Sequence, residues 1–393
     1  MKKLVATLAF LLLSLAFAAC GSDDEATTSA AAPAAPKADP FAAIAAEAKG
    51  QTVRWWMFGG DTKINDYVDD VVAPAAKKRG VTIERVPITD TADAVKRVVS
   101  ERRAGKTSGG GVDMIWINGE NFAAGKKSKL WLEDWSTTLP NAVKYVDYED
   151  PAINTDFQIP VDGQESPWQS ARFIFAYDSA KVDAAPKDFD ALLAYAKENP
   201  GRFTYPAPPD FTGSAFVRQV VAAKGEDEAF AYLKELKPLM YRKGKSFPKS
   251  QAELDELFAN GQVDFAMAYD ANFINAGVAK GGFPKSARPF LIGEGALTNT
   301  SYVTIPANAK SQAGAQVVAD VLLDPEIQAE KFKPTVLGGP TVLDTGKLGS
   351  MASLFENEEI SDYVLTDYGK PITEVAADEV APLEKRWMRE VLR

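Results

Sequence analysis

An α/β fold in two lobes is what this sequence predicts, and three observations carry the prediction. Apolar, strand-like runs alternate with stretches of helical periodicity along most of the chain. Residues 41–393 are more than one hydrophobic core usually serves. Hydrophobic side chains make up 46% of the residues, enough material for two cores.

The first strand is expected over residues 51–58, where Val-Arg-Trp-Trp-Met-Phe is broken by Gly59-Gly60-Asp61. A helix follows from about Lys63, with Ile64, Tyr67, Val68, Val71 and Val72 at helical spacing. Pro74 should end or kink it. Residues 81–86 alternate apolar and polar as a second strand. Asp90 or Thr91 then caps a helix that aligns Val95, Val98 and Val99 on one face. Gly109-Gly110-Gly111 leads into a third strand, residues 112–117. Strand, helix, strand, helix, strand is the pattern of a parallel sheet with crossover helices.

A second series follows: a strand at 172–177, a helix at 189–198 closed by Asn199-Pro200-Gly201, and a short strand at 202–205. Helices are expected at 214–223 and after Ser250, the latter carrying Leu254, Leu257 and Phe258 and stopping at Asn260-Gly261. Strands at 263–269 and 302–305 come next, then a helix at 312–323 that Asp324-Pro325 ends. The tail from Phe355 is acidic and helical in propensity, with Trp387 near its end.

The N-terminus reads as an address. Lys2 and Lys3 precede an apolar run from Leu4 to Phe17, and Phe17-Ala18-Ala19-Cys20 follows. Residues 1–19 therefore read as a secretory signal, with an apolar stretch too short for a comfortable membrane span. Phe-Ala-Ala-Cys resembles a bacterial lipobox with Phe17 where leucine is more usual, and makes Cys20 the lipidated first residue of the mature chain. Several acyl chains on one cysteine give stable anchoring, which a single chain does not. A plain signal peptide cut nearby is the other reading. Residues 20–45 form a flexible tether, since Gly-Ser-Asp-Asp-Glu and an Ala-, Thr- and Pro-rich stretch bury too little apolar surface to offset ordering entropy.

The chain carries 44 basic and 54 acidic side chains, and the balance is more negative still without Lys2 and Lys3, so no nucleic-acid partner is expected. Cys20 is the one cysteine and there is no histidine, which removes disulfides in the mature chain, thiol nucleophiles, His-dependent triads and the usual histidine metal sites. Carboxylate catalysis and an all-oxygen metal site stay open.

Four loops that follow predicted strands mix aromatic, small and polar residues: 55–61, 118–122, 210–214 and 269–272. In open α/β sheets ligands bind beyond the strand C-termini. Each loop also has a structural reading. One of Trp55 and Trp56 belongs to a core, since they point to opposite faces, and Asp61, Asp270 and Asn272 can be helix caps. The glycine run at 109–111 lacks the Lys-Ser/Thr of a phosphate loop, and the spacing of Asp113 and Glu120 makes no convincing acid–base pair.

Trp55-Trp56-x-x-Gly59-Gly60-Asp61-x-x-Ile64-Asn65 and Val112-Asp113-x-Ile115-Trp116-Ile117-Asn118-Gly119-Glu120-Asn121-Phe122 resemble the YnjB-like branch of ABC importer solute-binding proteins. Leu139-Pro140-Asn141, Pro167-Trp168, Tyr177-Asp178-Ser179 and Pro206-Ala207-Pro208-Pro209-Asp210-Phe211-Thr212-Gly213 fit it too, so that the resemblance spans roughly residues 50–345.

The resemblance implies the two-lobed periplasmic-binding-protein type II fold, with a ligand cleft between lobes that close about a hinge. Lobe 1 is expected at 46–176 and 300–345, lobe 2 at 177–299, and a helical tail at 346–393 packing on both. By analogy with related binders the cleft is lined by Trp56, Gly60, Asp61, Asn118, Glu120, Asn121, Trp168, Asp210, Thr212, Tyr269 and Asp270. Aromatics beside Asp61, Glu120, Asp210 and Asp270 favour a small organic cation, such as a thiamine-like compound or a polyamine. An anion at the Gly60 and Gly213 helix starts stays possible. The expected partners are a small-molecule ligand, an ABC permease with its ATPase, and a bacterial membrane reached through the lipid; the protein is expected to be a monomer without cofactor, metal or catalysis. The rival readings are a surface-attached hydrolase with two carboxylates as acid and base, and a sensor or adhesion lipoprotein of the same fold.

Overall fold

A computed structural model describes residues 40–60, 62–117, 119–293, 295–356, 362–365 and 367–393. The expected signal segment, Cys20, the tether up to residue 39, Asp61 and Asn118 lie outside the described residues. Among the described residues no helix is long and apolar enough to cross a membrane.

The first lobe is built on β1 (Thr52–Phe58), β2 (Thr82–Ile88) and β3 (Met114–Ile117), with β1 parallel to both neighbours as the alternation of strands and helices predicts. Val53, Trp55 and Met57 of β1 point to one face and are fully buried, while Trp56 packs on the other face with Ile88 and Val99. Asp113 ties the sheet together from a fully buried position. It accepts from Arg54 Nε at 2.8 Å and from the backbone N–H groups of Lys310 and Ser311 at 3.0 Å. A small hairpin, β4 (Thr155–Asp156) with β5 (Ile159–Pro160), lies beyond.

Two long segments then leave this sheet. β6 (Glu165–Arg172) continues after the single residue Phe173 into β7 (Ile174–Asp178), which pairs antiparallel with β8 (Phe265–Ala268) and β9 (Ala287–Phe290) to form the second lobe's sheet. β10 (Gly295–Thr304) returns antiparallel to both β6 and β3. β11 (Lys370–Thr373) adds to β10 in parallel. The second core gathers Phe173, Phe175, Phe203, Phe216, Phe265 and Phe290, and the C-terminal helix Ala377–Trp387 inserts Leu383 and Trp387 into it.

Local signals account for many boundaries. Asp90, Asp188 and Ser250 each cap the helix that follows, their side chains accepting from Ala92, Ala191 and Glu253 N–H groups. The helix Phe189–Glu198 keeps the bounds its pattern predicts.

Five expectations change. Residues 40–45, expected in the flexible tether, belong to a helix, Pro40–Glu47, because Phe41 is buried in the first lobe's core. Pro74 does not end its helix: the turn before it widens to a π-turn, Val68–Val72, whose Ala73 N–H reaches Val68 O, and the helix runs on to Lys78. Residues 202–205 join no sheet. Arg202 instead clamps Asp264 through Nε at 2.8 Å, and the prolines from Pro206 on cannot extend a ladder. Asp324 ends one helix but also caps the next, Pro325–Phe332. The tail is not helical throughout: Lys-Pro-Ile-Thr forms β11, because the free side of β10 satisfies its backbone groups, and only then does the last helix begin.

Candidate functional site

The lobes are joined by extended backbone. Phe173 N–H donates to Leu297 O at 2.9 Å, so β10 stays beside the β6–β7 segment at the crossing. On the second-lobe side, Asp210 caps the helix Phe211–Lys224 by accepting from Gly213 N–H at 3.0 Å. Burial holds its carboxyl above the usual range, partly offset by the N–H groups around it. Thr212 donates to Gln251 Oε1 at 2.8 Å. Gly213 is a glycine for want of room, since a Cβ there would sit 2.1 Å from Pro206 O. Gly213→Ala should cost about 1–3 kcal/mol, read as a lowered melting temperature.

Tyr269 stands in the middle of this side. Its ring lies 5.4 Å from Phe173 and 5.3 Å from Phe211, and its hydroxyl donates to Glu374 Oε1 at 2.6 Å. Burial, then the Glu374 charge, push the phenol well above its ordinary pKa. Asp270 accepts from Asn272 N–H at 2.8 Å, and Asn272 Nδ2 donates across to Pro334 O at 2.6 Å.

On the first-lobe side, Gly60 and Glu120 are exposed and Trp56 and Asn121 half-buried. Gly119, at φ +63°, directs its N–H to Asp156 Oδ2 at 2.7 Å. Asp156 and Glu165 are buried together, and burial raises both carboxyl pKa values, that of Asp156 to about 8. Trp168 is fully buried, edge-on to Trp116 at 5.1 Å and to Trp55 at 5.7 Å, with its carbonyl accepting from Lys331 Nζ at 2.8 Å. Of the expected residues, Asp210, Thr212, Tyr269 and Asp270 belong to the second lobe, with Thr212 buried and the other three half-buried. Glu120 and Asn121 open the helix beside Asp156, and Trp168 sits in the first lobe's core.

Sequence reasoning missed three residues at the crossing. Arg218, only 2% exposed, forks onto Glu374 at 2.7 and 3.1 Å and lies between the rings of Phe157 and Phe211, 5.7 and 5.6 Å from their centroids. Burial opposes the Arg218 charge, but the Glu374 carboxylate outweighs it and holds the pKa up. Glu374 is tied to the first lobe, its carbonyl accepting from Gln158 Nε2 at 2.9 Å while Ala377 N–H donates to Phe157 O at 3.0 Å. Arg172 ends β6, its Nη1 donating to Ser170 Oγ at 2.6 Å. A signal was present for Arg218, an arginine inside the apolar helical run Phe-Val-Arg-Gln-Val; nothing local marked its partner, 156 residues away. Between Phe157, Asn299, Thr300 and Glu374 lies a cavity of about 30 Å³, room for little more than a water. Among the described residues no group of three or more Asp or Glu side chains is placed to hold a metal ion.

Comparison with known proteins bears on this arrangement. Residues 70–350 match the family model described as bacterial extracellular solute-binding protein. The chain is 39% identical over 360 residues to Protein YnjB of Escherichia coli (strain K12), covering 87% of this chain and 91% of that one. A putative extracellular solute-binding protein from Bordetella parapertussis superposes with a TM-score of 0.64 at 15% identity, covering 86% of this chain and 98% of that chain. The periplasmic binding protein AfuA from Actinobacillus pleuropneumoniae, with fructose-6-phosphate bound, gives a TM-score of 0.60 at 15% identity, over 87% and 98% of the two chains. The Trichodesmium protein IdiA (FutA), in complex with iron and citrate, gives 0.62 at 15% identity, over 87% and 100%. The fold is the two-lobed periplasmic-binding-protein type II fold.

Proposed function

This chain belongs to the bacterial extracellular solute-binding proteins, an extracytoplasmic family of ABC transport, and from that premise we propose that it captures a small solute between its lobes and hands it to a membrane permease. The observation that carries this reading is the double-stranded crossing. The β6–β7 segment crosses between the lobes with β10 paired beside it, and polar and aromatic side chains from both lobes converge there. Bending there opens or closes the cleft, and the closed form is what the permease and its ATPase read. Cys20 carries the lipid anchor and the protein acts as a monomer.

The ligand we favour remains a small organic cation with a flat or aromatic body. Phe211, exposed at 45%, and Tyr269 offer ring faces, with Asp270 next in sequence; on the first lobe we expect Trp56, Gly60, Glu120 and Asn121 to face the solute, with Trp168 in the core behind them. Asp270→Asn, which keeps an oxygen for the Asn272 N–H, is expected to weaken cation binding about 3- to 30-fold while the melting temperature holds. Calorimetric titration with the hits of a thermal-shift screen of thiamine, its phosphates and polyamines checks it. Unchanged affinity in Asp270→Asn and in Phe211→Ala together would remove this wall from the site.

A further inference from the structure

We propose that Asn272 is a two-position latch between the lobes: with the lobes together its side-chain amide grips the first lobe, and with them apart it turns back to cap its own helix. The inference rests on the reading that the lobes close about the crossing, yet its test needs no solute.

Asn272 follows β8 and the Tyr269-Asp270 loop and begins the helix Phe273–Ala279, whose Phe273 and Ile274 lie in the second core. An asparagine so placed ordinarily accepts from an N–H group in the first helical turn. Here the side chain makes no capping hydrogen bond. It is turned instead to the loop 333–341, where Nδ2 donates to Pro334 O at 2.6 Å. That loop belongs to the first lobe. Leu337 and Val342 lie in the first core, and Lys331 Nζ donates to Trp168 O of β6 at 2.8 Å and to Pro340 O at 3.4 Å.

The contact is close-fitting. Asn272 is fully buried, and a Cβ on Gly338 would meet its Cγ at 2.6 Å and its Cβ at 2.7 Å. Gly338 stands at φ +70° with its N–H donating to Lys331 O at 3.0 Å, so glycine serves both the turn and the close approach. The contact is also incomplete. Asn272 Oδ1 is buried without a hydrogen-bond partner, a cost that capping the helix would remove. The gripped position gains one hydrogen bond between the lobes and forgoes one on its own helix, two terms of similar size. Such near-balance lets a solute that favours one arrangement tip the lobes. The Asn272 backbone N–H donates to the Asp270 carboxylate at 2.8 Å, which ties the latch to the loop expected to touch the solute.

Two spin labels on the full chain test the latch by reporting lobe separation. They are carried by Lys127→Cys and Lys280→Cys, exposed positions of the first and second lobe, in a Cys20→Ser background that removes the one native cysteine. Asn272→Asp keeps an oxygen able to cap the helix but replaces the donor to Pro334 O with a second acceptor. Measured without solute, the ratio of far to near label separations should rise about threefold or more, with the melting temperature little changed because aspartate caps as well as asparagine. Unchanged separation overturns the latch, and a lowered melting temperature beside it makes Asn272 a packing residue only. Should Asn272→Asp fail to fold, Gly338→Ala decides from the other lobe: its Cβ displaces Asn272 and should produce the same shift, and unchanged separation overturns the latch there too. The shift without capture of any solute leaves the latch standing and removes the import reading; capture without the shift does the reverse.

Discussion

Trp168→Ala is expected to lower folding stability by about 3–5 kcal/mol, the usual cost of emptying a buried aromatic site. The side chain is fully buried, its ring stands edge-on to Trp116 and Trp55, and Gln328 Nε2 and Lys331 Nζ both donate to its carbonyl. These neighbours come from β1, β3 and the helix Pro325–Phe332, so collapse at one point loosens three elements. Chemical denaturation of wild type and variant measures the loss. A change below about 1 kcal/mol, the scale of an ordinary surface substitution, would mean the ring is not part of the core. Trp168 is also a proposed cleft residue, and Trp168→Phe separates the two roles. Weaker solute binding at nearly wild-type stability marks a ligand contact, whereas parallel losses mark packing.

The second large effect is in the pH dependence of stability. Asp156 and Glu165 are buried beside one another, with Asp156 Oδ1 and both Glu165 oxygens lacking hydrogen-bond partners. Glu120 and Glu374 add negative charge near Asp156, Tyr302 lies close to both carboxyls, and Lys126 is the one opposing charge that acts on Glu165. Burial raises the Asp156 pKa from 3.8 to about 8, so between these values the folded protein holds a proton that the unfolded chain has released. Stability from this group is complete below the unfolded value and is lost as pH rises through about 8, at up to about 1.4 kcal/mol per pH unit. Lys331 acts in the opposite sense. Burial lowers its pKa from 10.5 to about 7, so over that interval the unfolded chain binds the extra proton and stability rises with pH. Melting temperature should therefore fall from about pH 4 toward neutrality and flatten or recover above it. Asp156→Asn with Glu165→Gln should flatten the acid-side slope, and Lys331→Met the alkaline side. A double carboxyl variant with the wild-type slope would show that the pair is ionised in the folded protein.

Much of the fold was legible because its signals are local. The strand 51–58, the caps Asp90, Asp188 and Ser250, and the helix Phe189–Glu198 each depend on residues within a turn or two of one another. Where the outcome depended on a distant partner, the local reading went astray. Residues 202–205 have strand-like composition, yet Arg202 is held by Asp264 rather than by a ladder. Lys-Pro-Ile-Thr becomes β11 because β10, some seventy residues earlier in the chain, offers unpaired backbone on that side.

The candidate site divides in the same way. From the sequence alone came the loops after the strands, the cap at Asp210 and the expectation of two lobes, since each follows from periodicity, turn chemistry or chain length. The tertiary structure alone decided that Trp168 is enclosed by Trp55 and Trp116, and that Arg172 at the end of β6 donates to Ser170 Oγ. It alone brought Glu374 across the crossing to Arg218 and Tyr269. The physical reason is that burial and charge pairing are properties of space, set where segments far apart in the chain pack together, whereas helix caps, turns and strand alternation are properties of neighbours along it.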